Sequence, residues 1–183
     1  MAAPRNARTW NPTHHPRDSK GRFTRSATRV MTPRDRRKLN SATARFDFAG
    51  SGPPPSPTPR SEPVDRYNAG DWQRINTDLR RGRVTDDAAA IDTAMKPTDV
   101  DTIVTRNVPA AMFAHIPIED INGMVVRDAA YIPASLGESD APGEIRLRIA
   151  VPAGTPATID PETGNVLMAR DTEMAVTQGA ARH

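Results

Sequence analysis

Apolar and polar positions alternate most strictly at Ile145, Leu147, Ile149 and Val151, with Arg146 and Arg148 between them. A period of two predicts a strand with one buried face and one wet face. Pro152 and Gly154 end it in a turn. Shorter runs follow: Pro156 to Ile159, the turn Asp160-Pro161-Glu162-Thr163-Gly164, Asn165 to Arg170, and Asp171-Thr172-Glu173 running into Met174-Ala175-Val176. In an extended segment residues 171 and 173 project from the same face, so Asp171 and Glu173 are expected as a pair of neighbouring carboxylates. Like charges that close are costly unless a cation or hydrogen-bond donors offset them, and a catalytic acidic pair has this form.

Upstream the period lengthens to that of a helix. Tyr67, Trp72, Ile75 and Leu79 approximate one stripe, with Gln73, Asn76, Asp78 and Arg80 turned outward. Gly82 is available for a left-handed cap. Thr85 is placed to cap a second helix with Asp86 and Asp87 in its first turn. Val84, Ala88, Ile91 and Met95 fall at helical spacing there, and Lys96-Pro97 stops it. Both helices are expected to cover a sheet. Val100 to Val108 reads as a strand carrying Arg106, and Gly123 to Asp128 precedes a run from Ala130 to Leu136 that includes Tyr131 and Ser135.

Composition narrows the classes. Of 183 residues 37% are apolar and 4% aromatic, with 18 prolines, too lean for a packed globule of the full length. The absence of cysteine removes disulfides and thiolate chemistry. No apolar run approaches a membrane span, and Met1 to Arg8 lacks the hydrophobic core of a secretory signal. The expectation is a soluble protein used without conventional export and without a membrane partner. His14 and His15 adjoin, His115 is solitary and His183 terminal, so no metal-ligand spacing exists. A glycine-rich phosphate loop, a hydrolase triad around Ser135 and a calcium loop at Asp160, Glu162 and Asp171 all lack the required spacing.

Charge divides the chain. Residues 1–64 hold 13 Lys and Arg against 4 Asp and Glu, a net of +9, and the remainder carries −6 to give the overall +3. The first part is expected to be a basic, proline-rich arm and linker, disordered or ordered by a partner, and residues 65–183 the folded domain. Met31 to Leu39 suggests a short helix begun at Thr32 with Pro33 in its first turn. Gly50 to Pro59 favours extended polyproline chain that is not expected to join a sheet. The phrase His15-Pro16-Arg17-Asp18-Ser19-Lys20-Gly21-Arg22-Phe23 resembles the openings of head-assembly proteins from phages of actinobacteria. That resemblance implies an arm docking on capsid proteins or nucleic acid, in a virion or the host cytoplasm.

From about Tyr67 onward the chain resembles the ADP-ribosyltransferase exoenzymes of the arginine–serine–glutamate class. The likeness rests on Tyr67, Ile75, Asn76, Leu79 and Arg80 in a "Y…IN..LR" helix, on Arg106 late in a strand, and on Val151-Pro152-Ala153-Gly154-Thr155 before the final strands. It implies an α+β fold: two helices on a pair of small, mostly antiparallel sheets, with NAD, the substrate, in the cleft between them. It further implies that Arg106 grips the NAD phosphates, since a planar, permanently charged guanidinium meets phosphate oxygens bidentately. Tyr131 would pack beside the nicotinamide end and Ser135 would be the last serine of a Ser-Thr-Ser signature. Glu173 would stabilise the oxocarbenium-like ribose, and Asp171 would orient the acceptor. Pro133 and Ala134 stand where that signature has a serine and a threonine, and proline offers neither hydroxyl nor backbone N–H. Two functions follow: a phage-encoded mono-ADP-ribosyltransferase acting on a host protein, or a catalytically inactive virion component anchored by its arm.

Overall fold

The computed structural model describes residues 54–113, 116–137 and 145–181. The basic arm before residue 54, including the helix expected from Met31 to Leu39, lies outside them.

Two features of the sequence start the domain. Pro63 sits in the first turn of α1 (Glu62–Arg66), where its missing N–H costs nothing. A wide turn over Tyr67–Asp71 then kinks the chain at Gly70, whose φ of 148° suits a residue without Cβ, before α2 (Trp72–Arg80). Ile75 and Leu79 are buried along α2 as the stripe predicts, whereas Trp72 stays 46% exposed. Gly82 takes the left-handed conformation expected of it, φ 77°. In α3 (Asp86–Ala94) the Thr85 hydroxyl accepts from the Ala88 N–H at 3.3 Å, and Ala88 and Ile91 face inward. Val84, expected on that stripe, precedes the cap and is exposed. Thr85→Ala should lower unfolding stability by about 1 kcal/mol, read from denaturant midpoints with unchanged slope.

Among the described residues eight strands follow: β1 (Lys96–Pro97), β2 (Thr102–Val108), β3 (Val125–Arg127), β4 (Ile132–Ser135), β5 (Ile145–Val151), β6 (Pro156–Ile159), β7 (Asn165–Met168) and β8 (Glu173–Ala181). A short helix, α4 (Ile118–Ile121), lies between β2 and β3. The strands run β1-β6-β7-β4-β2-β5-β8-β3, and every pairing is antiparallel. The two small sheets expected from the sequence are thus halves of one ladder, joined between β2 and β4 by the single pair Thr105–Ser135. Val104, Val108, Leu147 and Ile149 from one half meet Ile132, Val166, Met168 and Ile159 from the other in one apolar core. A second core lies between the helices and the sheet, where Tyr67, Ile75, Leu79 and Ile91 close over Tyr131 and Leu167.

The proline-rich segment reaches the sheet after all. Thr58, which is not proline and keeps its N–H, donates to the Ile159 carbonyl at 3.0 Å, and its hydroxyl accepts from the Ile159 N–H at 2.8 Å. Residues 56–60 therefore run as a strap along β6.

Candidate functional site

A cleft of about 490 Å³ opens where β2 and β4 part company. One wall is the kinked helical entry, with Tyr67, Asn68 and Trp72. The floor is Thr105, Arg106 and Asn107 from β2, Pro133 to Ser135 from β4, and Asn165 to Leu167 from β7. Thr58 to Ser61 of the strap and Asp160 of the β6–β7 turn close the remaining side. The volume lies in the range of small-molecule sites.

Local chemistry sets each member. Asp160 builds the turn after β6: its carboxylate accepts from the Glu162 N–H at 2.9 Å and the Thr163 hydroxyl at 2.8 Å. Those bonds, the Thr163 hydroxyl foremost, hold its carboxyl below the usual carboxylate range. Gly164 completes the turn at φ 68° and donates to the Asp160 carbonyl. The result sets Asn165 at the start of β7, directly opposite Ser135 in the register. Ser135 in turn stands opposite Thr105, the residue before Arg106. Arg106 is near enough to Tyr67 for its positive charge to work against the rise in the phenol's pKa, which burial pushes up to about 12.

The site residues expected from the sequence separate into two groups. Arg106 and Ser135 line the cleft together. Asp171, Glu173 and Tyr131 do not. Asp171 is in the left-handed conformation, φ 61°, in the turn before β8, with its N–H donating to the Asp128 carbonyl at 2.7 Å. Its carboxylate is paired to Arg127 at 3.1 Å. The chain is therefore not extended at 171. Glu173 is exposed and stands opposite Arg127 of the edge strand β3. Arg106 stands opposite Leu147, which stands opposite Gly179, two strands over and six positions along β8 from Glu173. At ~3.3 Å per residue and ~4.8 Å per strand the two residues lie roughly 20 Å apart.

Tyr131 is wholly buried. Its hydroxyl donates toward the Ala88 carbonyl at 2.6 Å and Asp92 Oδ1 at 2.7 Å, and its ring packs edge-on to Tyr67 with centroids 5.7 Å apart. Burial, and then the acceptor bond to Asp92, raises its pKa far above that of a free phenol. It fastens α3 to the sheet rather than facing a ligand.

The residues missed are Asn165, Asn68, Trp72 and the strap. The sequence shows only the turn before Asn165; the pairing of β7 with β6 and β4 is what sets Asn165 at the cleft, opposite Ser135. Among the described residues no cluster of His, Cys, Asp and Glu is arranged to hold a metal ion, and no helix is long and apolar enough to cross a membrane.

No family model and no curated protein matches the chain. Among solved structures it is similar to the C3larvin toxin, an ADP-ribosyltransferase from Paenibacillus larvae. The orthorhombic form aligns with a TM-score of 0.51 and 15% identity over 68% of this chain and 97% of the toxin. Another structure of that toxin aligns at 0.50 and 15% over 76% and 94%. An ADP-ribosyltransferase from Clostridium botulinum aligns at 0.48 and 15% over 84% and 96%. The chain folds as an α+β domain of the ADP-ribosyltransferase kind, as the resemblance of its residues implied.

Proposed function

We propose that the protein binds NAD in this cleft and that its reaction class is mono-ADP-ribosyl transfer to a protein. The observation that carries the reading is Arg106 and Ser135 lining one cleft, in a fold shared with an ADP-ribosyltransferase toxin. Arg106 grips the diphosphate as a bidentate cation. Ser135 and Asn165 offer a hydroxyl and an amide to the ribose that carries nicotinamide. The bond from that ribose to nicotinamide breaks, its electron pair leaving with neutral nicotinamide. The acceptor's nucleophile bonds to the ribose carbon and loses its proton to solvent. Positive charge grows on the ribose meanwhile, and Asn165 meets it with a dipole instead of a full charge, so turnover is slow. The acceptor is a host-cell protein, the setting is a phage virion or the host cytoplasm, and the arm of net +9 attaches the domain to capsid proteins or nucleic acid.

Labelled NAD mixed with host lysate tests this. Arg106→Ala should cut label transfer roughly tenfold to a hundredfold, the worth of about 1.5–3 kcal/mol in hydrogen bonds to a charged group. Glu173→Gln should leave transfer unchanged, because Glu173 does not line the cleft that holds Arg106. Loss of transfer in Glu173→Gln would overturn the assignment of the site to this cleft.

A second reading is favoured by Asn165 itself. An uncharged amide at this point of the cleft, with Pro133 and Ala134 beside it, suits a domain that holds the nucleotide without cleaving it and serves as a virion component. Binding of NAD with no labelled product from either protein selects that reading.

A further inference from the structure

The strap is tied to the domain by bonds of unequal strength. Ser56 gives its hydroxyl and its N–H to Asp99, at 2.5 and 3.0 Å. Thr58 pairs with Ile159 on the edge of the sheet. Beyond these, Arg60 is bonded to Glu162 of the β6–β7 turn, with 67% and 72% of the two side chains exposed. An ion pair that exposed is weak, so Arg60 can exchange Glu162 for another anion at little cost. Arg60 also lines the same cleft as Arg106. A diphosphate carries two anionic groups, and a second guanidinium meets the second of them bidentately.

We propose that residues 56–61 form a movable wall of the cleft that brings Arg60, released from Glu162, onto the diphosphate of the bound nucleotide. The inference rests on the nucleotide reading of the cleft and adds a residue and a motion to it.

The test uses the full chain, calorimetric titration with ADP-ribose, and adenosine as a ligand without phosphate. Arg60→Gln should weaken ADP-ribose binding about tenfold, near 1.4 kcal/mol, and leave adenosine unaffected. Glu162→Gln should tighten ADP-ribose binding severalfold, because it removes the competitor for Arg60. Both substitutions break the same ion pair, so a merely structural latch would make them act in the same direction, and that result overturns the proposal. A chain that takes up neither NAD nor ADP-ribose would sink the nucleotide reading instead. The wall is then read by thiol labelling, for which a chain free of cysteine is suited. Ser135→Cys should react severalfold faster with a maleimide once Thr58→Pro and Asp99→Ala cut the ties, and an unchanged rate would refute the movable wall.

Discussion

Replacing Asn165 with glutamate is expected to raise the rate of NAD cleavage by about a hundredfold. Asn165 is exposed at the first position of β7, opposite Ser135, in a cleft that also holds Arg106. A carboxylate there would face the ribose at the stage where it becomes cationic. Fixed charge aimed at developing charge in a partly closed site is worth about 10²–10³ in rate. The substitution adds one methylene and one charge at an open position, so the fold should tolerate it within about 0.5 kcal/mol. Asn165→Gln is the control, since it lengthens the side chain equally and adds no charge; it should leave the rate near that of the unsubstituted chain. The measurement is release of nicotinamide from labelled NAD, alongside NAD affinity by calorimetry. A glutamate variant that binds NAD as before and hydrolyses it no faster would show that residue 165 does not meet the reacting ribose.

Much of the fold was legible because its signals are local. The Thr85 cap needs only a hydroxyl three residues before the amide it accepts from, and the alternation at 145–151 needs only its own residues. The site was less legible, because its members are united by strand order rather than by spacing. β2, β4 and β7 are neighbours in the sheet, yet β5 and β6 intervene between β4 and β7 in the chain. A reader of the sequence sees two carboxylates two residues apart and expects a pair. The turn at Asp171, fixed by its bond to the Asp128 carbonyl and its pairing with Arg127, breaks the extended geometry on which that expectation depends. Asn165 gave no such cue, since a lone amide after a turn is ordinary turn chemistry until the register sets it beside Ser135. The strap was hidden for a different reason. Its prolines forbid a regular strand, but one threonine among them is enough to extend the edge of β6.

Tyr131→Ala should cost about 3–5 kcal/mol of stability, the largest loss among the positions considered. The side chain is buried completely, its ring meets Tyr67 edge to face, and it lies in the core that fixes the helices to the sheet. Removing it empties a ring-sized space bounded by Ile91 and Leu167, which belong to rigid elements and cannot collapse far into it. The melting temperature of the full chain should fall by roughly 10–20 °C. Tyr131→Phe dissects the effect, because it keeps the ring and deletes only the hydroxyl that reaches Ala88 and Asp92. Asp92 retains Arg170, which holds the same carboxylate at 2.9 Å, so its charge stays compensated. The phenylalanine variant should therefore lose about 1–2 kcal/mol, much less than the alanine one. Its affinity for NAD should not change, since the hydroxyl points at α3 and not into the cleft. If Tyr131→Phe instead kept its full melting temperature and lost NAD binding, the tyrosine would belong to the ligand site, as the sequence alone implied, and the two-core description of this domain would have to be redrawn.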